Sequence, residues 1–180
     1  MQPVLDTPRL LLRPFVPADA PDVQRLAGNA RVAETTLAIP HPYPDGAAGA
    51  WIASHAAGWA DGSEISWAIV RREDGALLGA AALMGINARH ASAELGYWVG
   101  HEHWGLGYAS EAARALAAFA DGQLGLSRVV GRCLARNPAS ARVLEKAGLR
   151  AEGRLVRHLY VGGVFEDVLL FGWVRPSRLG

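Results

Sequence analysis

Apolar and polar residues alternate with a period of two along several short segments, which is the pattern of half-buried β-strands. From Ile65 to Arg71, large apolar residues alternate with smaller ones. An Asp74-Gly75 turn and an apolar run from Leu77 to Met84 follow, so the two segments predict a β-hairpin. Strands are predicted over the ranges Arg9–Pro14, Ile65–Arg71, Leu77–Met84, Glu94–Val99, Arg128–Cys133, Leu155–Val161 and Val164–Trp173.

Other segments carry apolar residues at helical spacing between helix start and stop signals. One helix begins after Asn137, with Pro138 in its first turn, and ends at Gly148. Further helices are predicted over Ala18–Ala27, Ala47–Ala60 and Tyr108–Ala120. The order strand, helix, strand between residues 94 and 133 predicts a right-handed parallel crossover. The whole pattern predicts an α/β (α+β) fold, with a mixed central sheet in one domain over residues 1–180.

Composition and charge argue against several classes of protein and kinds of site. The 180 residues are 51% hydrophobic, and 18 basic against 17 acidic residues leave a net charge of +1. We therefore expect no general affinity for nucleic acid or for an anionic membrane. Cys133 is the only cysteine, which excludes an internal disulfide and a multi-cysteine metal site, and no metal is expected. The N-terminal segment does not resemble a signal peptide, so we expect a soluble cytoplasmic protein.

The segment GLGYAS, residues 105 to 110, lies between a predicted strand and a predicted helix. A P-loop needs Lys followed by Ser or Thr after its last glycine, and Tyr108-Ala109 occupies those positions. A dinucleotide-binding fingerprint needs a third glycine where Ser110 stands. The remaining readings are a plain tight turn and a site where the helix start binds a diphosphate. The alanine-rich inner face of the helix favours the second, because it lets the helix start lie close to the sheet.

Five segments in order make the chain similar to the GNAT N-acetyltransferase superfamily, in its branch of ribosomal-protein N-terminal (Rim-type) acetyltransferases. They are TPRLLLRPFVPADAPDV, IPHPYPDG, AELGYWVGHEHWGLGYASEAARAL, NPASARVLEKAGLRAEG and RHLYVGGVFEDVLL. The resemblance implies acetyl-coenzyme A as the acetyl donor and an amine as the acceptor. It also implies helices on both faces of the sheet and two central parallel strands that splay apart, with the pantetheine arm of the cofactor between them.

The resemblance assigns cofactor-binding positions. The family pattern Arg or Gln, x, x, Gly, x, Gly or Ala matches from Trp104 to Ala109, but Trp104 replaces the polar first residue. We therefore expect backbone N–H groups to supply most of the phosphate contact. The predicted cofactor-binding residues are Trp98, Val99, Gly100, Trp104, Gly105, Leu106, Gly107, Tyr108, Ala109, Ser110, Asn137 and Ser140.

Amine acetylation needs a base, because a lysine-type ammonium has a pKa of about 10.4 and an α-amino group one of about 7.7 to 8.0. Glu94 on a central strand is the candidate base; its alternative reading is a salt-bridged structural carboxylate. Ser140 matches a serine that the Rim-type branch uses as general acid, and its alternative reading is a helix cap. Asn137 is read either as a helix cap or as a pantetheine contact. Cys133 is read as a small core residue.

The loop from Ile39 to Gly46 matches the region that shapes the acceptor pocket in the family. On that basis the predicted substrate-binding residues are His41, Tyr43, His158 and Tyr160. The resemblance implies that the acceptor is a small-molecule amine or a peptide N-terminus, which reacts by direct attack in a ternary complex. The alternative function is an acyl-coenzyme A-binding sensor or partner-binding protein without catalysis. A homodimer is compatible with the apolar composition.

Overall fold

The computed structural model describes residues 1–176, which form one eight-stranded sheet with helices on both faces. The strands are β1 (Leu5–Asp6), β2 (Leu10–Arg13), β3 (Ile65–Arg71), β4 (Leu77–Asn87), β5 (Ser92–Val99), β6 (Arg128–Leu134), β7 (Arg150–Val161) and β8 (Val164–Val174). The helices are α1 (Ala20–Ala27), α2 (Ala30–Thr35), α3 (Ala47–Asp61), α4 (Tyr108–Gly122) and α5 (Pro138–Lys146). Within these residues, none of the helices is both long and apolar enough to cross a membrane.

The strand order in the sheet is β1-β2-β3-β4-β5-β6-β8-β7. All neighbouring strands pair in antiparallel fashion except β5 and β6, which are parallel and are connected through α4. The predicted mixed sheet with one parallel crossover connection is therefore confirmed.

Both faces of β3 are buried, because the sheet has a hydrophobic core on each side. Trp67 and Ile69 pack in the core that includes α4, where the ring centroids of Trp67 and Phe119 lie 5.4 Å apart. Ala68 and Val70, which point to the opposite face, pack in the core that includes α1 and α3. The period-two pattern of this strand therefore separates large residues on one face from smaller residues on the other.

The structure corrects three regions of the predicted fold. Helix α2 and the short strand β1 were not predicted, because neither segment has enough apolar periodicity to indicate an element. Strand β7 begins at Arg150, five residues before the predicted start at Leu155. The first residues of β7 pair with β8, but they are exposed and largely charged. Apolar and polar residues therefore do not alternate in this part of the sequence.

Candidate active site

The two parallel strands separate in the middle of the sheet. Strand β5 pairs with β6 only from Ser92 to Leu95, opposite Arg128 to Gly131. The following residues of β5, up to Val99, remain paired with β4 on their other side. This separation leaves backbone groups of β5 without a strand partner on one side, and it confirms the predicted splay.

The segment after β5 brings the start of α4 to this opening. Gly105 and Gly107 have φ angles of 76° and 83°, a conformation that favours glycine, and Gly107 is the N-terminal cap of α4. The first N–H groups of a helix have no partner within the helix and carry its positive dipole end. The alternating glycines therefore direct a helix N-terminus toward the gap between β5 and β6.

A first cavity of about 360 Å³ occupies this position. It is lined by the glycine turn, the start of α4, the end of β5, and residues of α2 and α5. Two cationic side chains of α5, Arg142 and Lys146, line it as well, and the lining residues from the described part of the chain include no Asp or Glu. The helix start and the two cations together make this cavity suitable for an anionic group such as a diphosphate.

Most of the predicted cofactor-binding residues line the first cavity. Those that do so are Trp98, Val99, Trp104, Gly105, Gly107, Ala109, Ser110, Asn137 and Ser140. Three others lie outside it. Gly100 packs against α1, where an added Cβ would meet the Leu26 side chain at 2.5 Å. The Leu106 carbonyl accepts a hydrogen bond from Arg9, whose guanidinium also lies 4.7 Å from the centre of the Tyr108 ring.

Trp104 occupies the position where the family pattern has a polar side chain. Its indole Nε1–H donates to the carbonyl oxygen of Val99 at 2.7 Å, and its ring lies 4.9 Å from that of His101. Trp104 thus satisfies a carbonyl at the end of β5. The expectation that backbone N–H groups supply the phosphate contact near the turn stays a prediction.

A second cavity of about 490 Å³ lies next to the first. Strands β3, β4 and β5 line it together with Trp51 and the loop that contains Tyr43. The two cavities share five lining residues, Thr35, Thr36, Tyr97, Trp98 and Ser140. A group held in one cavity can therefore meet a group held in the other beside Tyr97 and Ser140.

Ser140 is held in place by Tyr97 at this junction. The Tyr97 hydroxyl lies 2.7 Å from Ser140 Oγ and 3.1 Å from the Ser140 carbonyl oxygen. Burial raises the pKa of Tyr97, so its hydroxyl stays protonated at neutral pH. Cys133, which is 3% exposed, lines the second cavity beside Ser140, and burial raises the pKa of its thiol. The three side chains bring two hydroxyls and one neutral thiol together where the cavities meet.

Asn137 supplies the cap of α5. Its Oδ1 accepts from the Ser140 backbone N–H at 3.1 Å, and its Nδ2 donates to the Thr35 carbonyl at 3.1 Å. Asn137 therefore stabilises the helix start and connects α5 to α2. Because this side chain satisfies the N–H group, the hydroxyl of Ser140 is not needed as a cap.

Glu94 lines the second cavity and forms an ion pair. Its Oε1 accepts from Arg132 Nε at 2.8 Å, and the two side chains are 26% and 35% exposed, respectively. Glu94 is therefore a salt-bridged carboxylate that also faces a cavity, so its geometry is compatible with a structural role and with the role of a base.

The predicted substrate-binding residues are not brought together. Tyr43 lines the second cavity, and burial raises the pKa of its hydroxyl. His41 is exposed and lies outside both cavities. His158 and Tyr160 are on β7, at the edge of the sheet, and Tyr160 is 66% exposed and packs on Phe165.

Sequence reasoning missed Tyr97, Arg142 and Lys146, and also Thr35 and Thr36 at the end of α2. The two cations are four residues apart on a predicted helix, a spacing that places them on one face and could have indicated an anion site. The role of Tyr97 depends on a partner 43 residues away, which no local pattern indicates.

Comparison with known proteins places this arrangement in a family. The acetyltransferase (GNAT) domain matches residues 9–150. The chain is 31% identical to the uncharacterized N-acetyltransferase YoaA of Bacillus subtilis (strain 168), over 99% of this chain and 100% of that protein. It is 30% identical to the ribosomal-protein-serine acetyltransferase of Escherichia coli (strain K12), over 57% of each chain. A solved structure of a probable acetyltransferase superposes with a TM-score of 0.85 at 26% identity, covering 96% of this chain and 97% of that one.

Proposed function

Because the chain belongs to the GNAT acetyltransferase family, we propose that it is an N-acetyltransferase that moves an acetyl group from acetyl-coenzyme A to a primary amine by direct attack in a ternary complex. The observation that carries the proposal is the meeting of two cavities at Tyr97 and Ser140. One cavity suits an anion, and the other is largely apolar and contains carboxylates.

The residues around the first cavity fit coenzyme A. The N–H groups at the start of α4 bind the diphosphate, and Arg142 and Lys146 neutralise its charge. The backbone groups of β5 beyond Leu95 lack a strand partner toward β6, and apart from the Val99 carbonyl, which accepts from Trp104, they could pair with the extended pantetheine arm by strand addition. Bound in this way, acetyl-coenzyme A supplies the acetyl group as a thioester.

Glu94 acts as the base in this proposal. Arg132 contacts Oε1 and fixes the orientation of the carboxylate, and within residues 1–176 no hydrogen bond reaches Oε2. Oε2 is therefore open to the second cavity and accepts a proton from the ammonium group of the acceptor. Arg132 is a positioning residue for this step.

Ser140 acts as the general acid. Its hydroxyl lies at the junction of the cavities and donates a proton to the departing sulfur. The Tyr97 hydroxyl, 2.7 Å away, stays protonated and stabilises the Ser140 oxygen by a hydrogen bond, and the nitrogen of the acceptor, which loses a second proton when the amide forms, returns that proton to Ser140. The cap function is met by Asn137, which leaves the Ser140 hydroxyl free for this role.

Release of free thiol tests the proposal. Purified protein is incubated with acetyl-coenzyme A and a panel of small amines and peptide N-termini, and binding of coenzyme A is measured by calorimetry. Thiol release that depends on an amine and is lost in Ser140→Ala supports catalysis. Tight binding of the cofactor with no thiol release for any acceptor would overturn it and indicate a non-catalytic acyl-coenzyme A sensor.

A further inference from the structure

Two glutamates lie in one row across the sheet on the wall of the second cavity. Ile65 of β3 is opposite Leu83, so the preceding residue, Glu64, lies next to Met84, and Met84 is opposite Glu94 of β5. Residues in one row across neighbouring strands point to the same face, and Glu64, Met84 and Glu94 all line the cavity. Strands are about 4.8 Å apart, so the backbones of the two glutamates are separated by about 10 Å.

The two glutamates differ in whether a cationic side chain pairs with them. Glu94 is paired with Arg132, whereas the Glu64 carboxylate accepts a hydrogen bond from Ser66 Oγ at 2.6 Å. Within residues 1–176, no Lys or Arg pairs with Glu64. The charged side chains lining the cavity are Glu64, Glu94 and Arg132, which leaves one negative charge without a partner.

His55 on α3 interacts electrostatically with Glu64 but does not neutralise its charge. Its ring lies 4.4 Å from that of Trp51 and 5.3 Å from that of Phe15. Burial lowers the pKa of His55 against the opposing effect of Glu64, so the imidazole is neutral at neutral pH. His55 therefore supplies no positive charge to pair with Glu64.

The rest of the wall around Glu64 is mainly apolar. It includes the side chains of Ile39, Trp51, Met84 and Trp98. A carboxylate among apolar groups gains most from a cationic partner that also excludes water. The site thus offers one ammonium position at Glu64 and apolar contact between it and the base.

We propose that Glu64 binds a second ammonium group of the acceptor, and that the acceptor is a small diamine whose two nitrogens are separated by an apolar chain. One nitrogen lies at Glu94 and Ser140, where it loses its proton and attacks. The other stays protonated, because its pKa is about 10.4, and pairs with Glu64. This inference rests on the proposed function and names the class of its acceptor.

A matched pair of amines tests whether a second ammonium group of the acceptor contributes to recognition. Pentylamine and 1,5-diaminopentane have the same carbon chain and differ in one ammonium group. We expect kcat/KM to be about 10- to 100-fold higher for the diamine, since a hydrogen-bonded charge pair contributes about 1.5 to 3 kcal/mol. Glu64→Gln should remove this preference by lowering the value for the diamine alone, and Glu64→Asp should restore part of it.

Glu73→Gln is the matched control, because it removes the same charge from an exposed turn outside the cavity lining. Equal kcat/KM for both amines in the unsubstituted protein would overturn the proposal. So would a higher value for peptide N-termini than for any diamine, or an equal loss for both amines in Glu64→Gln.

Binding without turnover separates this inference from the proposed function. Calorimetry with 1,5-diaminopentane in the presence of coenzyme A, which carries no acetyl group, measures recognition alone. Loss of diamine binding in Glu64→Gln, together with no thiol release for any amine, would contradict the proposed function and support the role of Glu64. Thiol release with monoamines and an unchanged diamine affinity in Glu64→Gln would contradict only the role of Glu64.

Discussion

The hydroxyl oxygens of Tyr97 and Ser140 lie 2.7 Å apart, at the point where the two cavities share their walls. Tyr97 comes from β5 and Ser140 from the first turn of α5, so the contact joins the sheet to a helix beyond the splayed strands. Burial keeps the tyrosine protonated. The pair therefore places two hydrogen-bonded hydroxyls where the two cavities meet.

Ser140→Ala should lower kcat about 100-fold, because a general acid contributes 10²- to 10⁴-fold. The melting temperature should change little, since the N–H group of residue 140 keeps its bond to Asn137. Steady-state thiol release and a thermal melt measure the two effects. Normal kcat with a lowered melting temperature would show that the hydroxyl is structural.

Asn137→Ala is the control for this substitution, because it should give the opposite pattern. Losing the cap costs about 0.5 to 2 kcal/mol. For a chain of this size, each kcal/mol lowers the melting temperature by about 2 to 4 °C. The hydrogen bond to Thr35 is lost as well, so we expect a value near the upper end.

Tyr97→Phe should lower kcat about tenfold and leave the KM for acetyl-coenzyme A nearly unchanged. The ring remains and only the hydrogen bonds between the Tyr97 hydroxyl and Ser140 are removed. A double-mutant cycle checks the connection: Tyr97→Phe should add no further loss in the Ser140→Ala background. Additive losses would mean that Tyr97 acts independently of Ser140.

Arg142→Gln combined with Lys146→Gln should raise the KM for acetyl-coenzyme A about tenfold at low salt, because both exposed cations line the first cavity and neutralise phosphate charge. The difference should shrink as ionic strength rises, since salt screens exposed charges. Arg89→Gln, in an exposed turn outside the cavity lining, is the control. An unchanged KM at low salt would place the phosphates elsewhere.

The sequence allowed the sheet and the cofactor-side cavity to be predicted, because both depend on local patterns. Alternation located the central strands, and the two glycines before an alanine-rich helix located the helix start that faces the opening. The resemblance supplied the splay of β5 and β6, which no local pattern requires. The positions lining the first cavity follow from these elements.

The acceptor side could not be predicted in the same way. Glu64 and Glu94 lie in one row because of the register of β3, β4 and β5. Glu94 forms an ion pair with Arg132 of a fourth strand, β6. Helix α2, which contributes to both cavities, has only six residues and little apolar periodicity. His158 and Tyr160 were placed near the acceptor by resemblance, but the hairpin of β7 and β8 carries them to the edge of the sheet.

His55→Phe should stabilise the protein, and more so at acidic pH. Both ring nitrogens of His55 are buried without a hydrogen-bond partner within residues 1–176, a cost of about 1 to 3 kcal/mol that an apolar ring avoids. Burial lowers the pKa of His55 below its ordinary value of 6.5, so the unfolded chain binds its proton more readily than the folded one. The stability of the unsubstituted protein should therefore fall as pH drops below about 6.5, and His55→Phe should lose that part of the dependence. Urea unfolding at pH 7.5 and pH 5.5 measures both effects, with His90→Phe in an exposed turn as the control. An equal gain at both pH values would show that the imidazole does not titrate on unfolding.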